Sequence, residues 1–212
     1  MTERIISSQT DLVQADVLAA LRDATAARHA ILDSSLAIAG AGASLADYRA
    51  HLCLLQAWLR PLEQWLAGFS DGPQGPDAPP MVLRTLLIEA DLADPAMPDG
   101  PCVAAGRGRW PRVASPAYRW GVTYVIEGAQ LGGTVLYQRL AAPLAPHPLR
   151  YLRGQDGGPG PRWRAFMQAL RGAVRTDAEI AQACAGACEA FDRILALRAQ
   201  VTTPEPFPRD FV

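Results

Sequence analysis

From about Ser115–Pro116 through Leu140 the chain carries the apolar rhythm of one long helix, yet residues 127–135 within it read EGAQLGGTV. A glycine inside a helix costs about 1 kcal/mol relative to alanine. Gly128, Gly132 and Gly133 together therefore demand a reason. Either the segment is a loop, or something approaches the backbone so closely that no side chain fits. Gly128 and Gly132 lie one turn apart and share a helix face. A neighbouring helix packed through small residues and a large flat ligand lying on the backbone both meet that requirement. Spacing does not choose between them.

The rest of the chain is also helical in period. Residues 16–40 (DVLAALRDATAARHAILDSSLAIAG) repeat apolar positions every three or four residues, and Gly40 and Gly42 end the pattern. Ser44 is placed to cap a second helix, LADYRAHLCLLQAWLRPLEQWLAGF, in which Pro61 predicts a kink or a break. SDGPQGPDAPP reads as a linker, followed by a shorter helix, MVLRTLLIEADLA, and an irregular stretch over 94–112. APLAPHPLRYLRGQDGGPGP reads as a second loop region with one helical turn, and two more helices, RWRAFMQALRGAV and TDAEIAQACAGACEAFDRILALRAQ, follow it. No segment alternates as a strand does, and no repeat is visible. The expectation is an all-α single-domain bundle over residues 14–201, with a flexible N-terminus at 1–13 and an extended or disordered tail at 202–212.

Length and charge narrow the function classes. With 212 residues the chain has enough length for one buried core, and its net charge of -1 gives no bulk attraction to nucleic acid or anionic membrane. Every basic side chain is arginine, so an anionic ligand has to be held by guanidinium. The first residues lack the basic and then apolar pattern of a signal peptide, and no apolar run approaches bilayer length. Cys53, Cys102, Cys184 and Cys188 are too sparse for a disulfide framework, which points to free thiols and a cytoplasmic location. Cys184 and Cys188 share a helix face but have no histidine or further cysteine nearby, so they read as packing residues.

Three histidines are available. His147, between prolines in APHPLR, is expected in a loop facing solvent, and His51, three residues after Tyr48, is expected to be partly buried and structural. His29 lies deep in the first helix among alanines. A neutral imidazole is a good iron ligand, and a heme needs an axial ligand on at least one face. Opposite it, a glycine stripe would admit a flat macrocycle and leave the other axial position open.

Three segments carry a family resemblance. LRDATAARHAILD (Leu21 to Asp33) resembles the proximal helix of the heme oxygenases, in which an acidic–Ala–Thr triplet precedes the ligating histidine by four residues. YVIEGAQLGGTVL (Tyr124 to Leu136) resembles their distal helix, above all in the bacterial branch. YLRGQDGGPGPRWRAFMQAL is further similar to bacterial members that accompany phytochrome photoreceptors. These blocks occur in family order, and the resemblance spans roughly residues 14 to 200.

The resemblance implies a bundle that binds heme b as both cofactor and substrate and cleaves it with O2 to biliverdin, carbon monoxide and ferrous iron. It implies His29 as the proximal iron ligand, and Gly128 and Gly132 as the distal backbone facing the heme, with Ala129 and Gly133 alongside. Arg22 and Tyr124 fall where the family holds a propionate, and Asp33 where a carboxylate orients the imidazole. Electrons are expected from an external ferredoxin or flavoprotein, since no flavin or nucleotide motif is present, and a bacteriophytochrome is the implied recipient of the product. One departure stands out. Animal members carry an aspartate after the first distal glycine, where this chain has Ala129. Gln130 is the nearest polar substitute, with ordered water and backbone carbonyls completing proton delivery. Without such a network the chain would be a non-catalytic heme-binding or heme-carrying relative.

Overall fold

The computed structural model describes residues 16–102, 109–154 and 158–202, the side chains of residues 201 and 202 excepted. Among these residues there are seven α-helices and no strand: α1 (Val17–Ser34), α2 (Leu45–Leu66), α3 (Arg84–Leu92), α4 (Pro116–Leu140), α5 (Arg150–Arg153), α6 (Pro159–Ala173) and α7 (Asp177–Thr202). The expected segments at 1–13 and 203–212 lie outside the described residues, while Thr202 closes α7.

Local chemistry sets most of the boundaries. The Asp16 carboxylate accepts from the Leu18 amide at the start of α1. Ser44 and Asp47 form a reciprocal capping box on α2. The Ser115 hydroxyl accepts from the Tyr118 amide, with Pro116 in the first helical position of α4. Pro61 does not divide α2 as expected: the helix runs through it. Trp58, Leu59, Leu62 and Leu66 are buried on both sides of it, so core packing outweighs the one amide hydrogen bond that proline removes.

The axis of the fold is the crossing of α4 with α7, where the two backbones touch through glycine. A Cβ on Gly121 would stand 1.8 Å from the Ala183 carbonyl oxygen, and one on Gly186 would stand 2.1 Å from the Tyr118 carbonyl oxygen. Each helix thus gives up a side chain where the other's backbone passes. Ala183, Ala187 and Ala190 keep the facing strip of α7 small and fully buried. On this paired axis α1 and α2 also pack, and the Trp58 indole of α2 donates to the Ala190 carbonyl.

Buried polar groups tie the shorter elements down. Asp91 of α3 is fully buried and accepts from the Tyr48 hydroxyl and from the Arg150 and Tyr151 amides, joining α2, α3 and α5. His147 belongs to this cluster and does not face solvent as expected. It is 3% exposed, Nδ1 accepts from the Leu149 amide, and Nε2 faces the Asp91 carbonyl. That pairing requires the tautomer protonated on Nε2. The linker after α2 is likewise stapled, because buried Arg119 donates to the Asp71 carbonyl and carboxylate and to Gln74 while covering the Phe69 ring.

The cysteine expectation also needs correction. Cys53, buried in α2, is bonded to Cys102 in the irregular stretch, leaving Cys184 and Cys188 free. The two partners lie 49 residues apart, and only the fold brings them together. No described helix is long and apolar enough to cross a membrane.

Two measurements check this architecture. Gly121→Ala should lower thermal stability by about 3 kcal/mol, the upper range for overpacking. A melt unchanged from wild type would mean that the α4–α7 backbones are not in contact. Alkylation of denatured, unreduced protein should label Cys184 and Cys188 only. Four labelled thiols would show that Cys53 and Cys102 are not joined.

Candidate functional site

Helices α1 and α4 both rest on α7 yet share no extended contact with each other. The Arg22 guanidinium of α1 lies near the Tyr124 hydroxyl of α4, where it pulls down a phenol that burial pushes up. Beyond the far end of α1, Arg139 donates to the Ala39 carbonyl at 3.0 Å. From Arg22 to His29 an α-helix rises about 10 Å, and the same rise from Tyr124 reaches the Gly128–Gly132 turn. Arg22 and His29 thus mark one stretch of α1, and Tyr124 and the glycine turn a stretch of like length on α4.

The second half of α1 leaves the core. Val17, Leu18, Leu21 and Thr25 are its buried residues, whereas the His29 side chain is 63% exposed. Its Nδ1 is 2.9 Å from the Asp33 carboxylate one turn on, and the Phe191 ring of α7 lies 5.9 Å away. A carboxylate on Nδ1 fixes the proton there and leaves the Nε2 lone pair facing outward. No protein group among the described residues hydrogen-bonds to Nε2. Ile31, also exposed, continues this open part of α1.

On α4 the glycines divide by function. Gly121 is consumed by the α7 crossing. Gly133 is buried, and a Cβ there would make ordinary contact with Leu152 of α5, so this glycine packs against the α5 side. At Gly132, by contrast, a Cβ would meet nothing within 4 Å, and at Gly128 it would meet only the ring edge of Trp163 at 3.8 Å. Among the described residues, only the Trp163 ring of α6 comes within 4 Å over Gly128, and nothing does over Gly132. Close helix packing explains Gly121 and leaves Gly132 unexplained. Val135, nearly one turn beyond Gly132, is also exposed.

Gln130 points the other way. With Glu127 and Thr134 it lines a cavity of about 190 Å³ on the far face of α4, bounded by Arg84, Arg162 and Gly158. Its Nε2 is buried without a hydrogen-bond partner. In the same wall Glu127 is clamped by two arginines, Arg84 at 2.8 Å and Arg162 through two hydrogen bonds of 2.8 Å. Burial pushes the Glu127 carboxyl up, but the two guanidinium groups outweigh it and hold the carboxyl below its ordinary value. Ala129 lies about 100° around the helix from Gly128 and offers no polar atom beyond its backbone. His51 is half-buried, as expected; burial lowers its pKa to about 4, and Nδ1 has no partner.

Two features of this region were not singled out from the sequence. Trp163 adjoins Gly128, and the Arg84–Glu127–Arg162 cluster fastens α4 to α3 and α6. The only local sign of the second was a glutamate inside an otherwise apolar helical run; its partners lie 43 and 35 residues away and no periodicity connects them.

The arrangement suits a flat, anionic macrocycle. One imidazole nitrogen is free on the α1 side, two glycines leave room on the α4 side, and exposed Arg22 with Tyr124 supplies a cation and a hydroxyl at one end. Comparison with known proteins agrees. A family model described as heme oxygenase matches residues 15–198. A heme oxygenase of Xanthomonas campestris pv. campestris is 33% identical over 142 residues, covering 66% of this chain and 78% of that protein. The heme oxygenase of Neisseria meningitidis, crystallised with NO and CO bound, shares the fold with a TM-score of 0.69 at 20% identity, covering 91% of this chain and 98% of that one.

Gly132→Ala should separate a ligand surface from a packing surface. Its thermal midpoint should stay level or rise, since helix propensity alone favours alanine by about 1 kcal/mol, while heme uptake in a titration weakens. A loss of stability like that of Gly121→Ala would mean that Gly132 serves packing.

Proposed function

The chain belongs to the heme oxygenase family, and from that premise we propose that it opens heme b to biliverdin, carbon monoxide and ferrous iron with His29 as the axial ligand. The observation that carries this reading is the open space over Gly132, on a helix whose Tyr124 lies near Arg22 of the helix that bears His29, a histidine whose other nitrogen is already engaged. When bound, heme supplies the iron at which O2 is reduced, and its own ring is the substrate.

The protein's part is to hold and to exclude. Asp33 keeps the His29 proton on Nδ1, so that Nε2 presents its lone pair. Gly128 and Gly132 carry no side chain, so a heme held by His29 would meet only backbone there and a diatomic ligand would have room. Arg22 and Tyr124 receive a propionate through a charge-assisted hydrogen bond and a hydroxyl. Proton delivery relies on backbone carbonyls and ordered water along the glycine turn, since Ala129 has no carboxylate and Gln130 lies behind the helix. A ferredoxin or flavoprotein supplies the electrons. The similarity of residues 151–170 to phytochrome-associated members supports a phytochrome as recipient of the product.

Heme loaded anaerobically and then given reductant and O2 should lose its Soret band as the biliverdin spectrum grows. An intact Soret band with no biliverdin would overturn the proposal and favour a heme carrier. His29→Ala should lose the axial imidazole signature and regain it when imidazole is added. Asp33→Asn should weaken heme affinity or turnover by about 10-fold, as loss of a group that orients a ligand does.

A further inference from the structure

Among the described residues, Trp163 is the one side chain that approaches the open face of α4 at these glycines. Its ring edge lies 3.8 Å from the place a Cβ on Gly128 would take, while the space over Gly132 is clear to 4 Å. The indole is braced on two sides. Tyr124 lies 5.5 Å away, centroid to centroid, and the buried Phe166 ring stacks at 5.8 Å with an interplanar angle of 20°. Phe166 in turn rests on Trp120.

The residue before it sets its register. Arg162 grips Glu127 through two hydrogen bonds, and Glu127 immediately precedes Gly128. Arg84 holds the same carboxylate at Oε2. Glu127 and Arg84 are both about 5% exposed or less. Breaking a buried ion cluster of this kind is strongly unfavourable, so α6 cannot easily slide along α4. The clamp behind the helix thus fixes the distance from the Trp163 ring to the Gly128 backbone in front of it.

A flat ligand lying over Gly128 and Gly132 therefore meets a wall on the α6 side and none at Gly132. We propose that Trp163 is a positioning residue that sets the in-plane seating of the heme, and through it which meso carbon is cleaved. This rests on the function proposed above. Arg22 and Tyr124 hold a propionate at one end; the indole edge limits rotation of the ring about that hold.

The test compares wild type with Trp163→Ala and Trp163→Phe by two readouts. Proton NMR of the ferric cyanide complex reports heme seating through the hyperfine-shifted methyl resonances, without turnover. Chromatography of the biliverdin isomers reports the carbon cleaved. Trp163→Ala should change both the ratio of methyl sets and the ratio of isomers by about 2- to 10-fold, the range one aromatic contact sustains, with Trp163→Phe lying between. Identical methyl patterns and isomer ratios in the three proteins would overturn the inference. If Trp163→Ala fails to load heme, Trp163→Phe decides alone: a shifted ratio supports the role and an unshifted one refutes it. Failure of the wild type to bind heme or form biliverdin would instead strike the proposed function, and this inference with it.

Discussion

Everything in this fold is referenced to the place where α4 and α7 touch backbone to backbone. Gly121 and Gly186 remove the two Cβ atoms that would hold the helices apart, and the alanines of α7 keep the contact narrow. Tight approach of two long helices creates a rigid shared base. With α1 set on another part of α7, the separation of α1 from α4 becomes a property of α7 and not of any contact between them.

The chain solves its buried electrostatics with a single cation. Lacking lysine, it uses the planar guanidinium wherever a positive charge is buried or half-buried. Arg119 spreads its donors over a carbonyl, a carboxylate and an amide, and Arg162 meets both oxygens of Glu127. Arginine suits this task because its donors form a fixed fork, so each pair defines a direction as well as an attraction. The Asp91 cluster achieves the same through backbone amides and the Tyr48 hydroxyl. These are orienting devices more than sources of stability, since the cost of burying charge offsets much of the gain.

What could be read from the sequence was what is local. The Ser44 cap and the Ser115–Pro116 start are written within four residues, and the structure starts both helices there. Pro61 does not break its helix because its cost is local while its compensation, the burial of flanking leucines, is not. His147 misled for the same reason: neighbouring prolines speak of a loop, but its partner is the Asp91 carbonyl in α3. The glycines of α4 look alike in sequence and differ only in what lies above them. Gly121 was not singled out at all, and Gly133 turned out to face α5. Trp163 read as one more apolar helix position until its contact with Gly128 was visible. The resemblance to a family supplied the roles; the fold supplied the directions.

The same glycines carry a consequence for motion. Gly128, Gly132 and Gly133 lie within six residues of one another, and together they remove about 3 kcal/mol of helix propensity from the middle of α4. Trp163 and Leu152 restore a little of this by contact, and over Gly132 nothing among the described residues does. That loss lowers the cost of opening this turn relative to the same turn built of alanine. In the function proposed above, a heme seated there would contribute the missing packing, so occupancy and helical order would rise together. Backbone amide exchange in this turn would then be a built-in gauge of whether heme is bound.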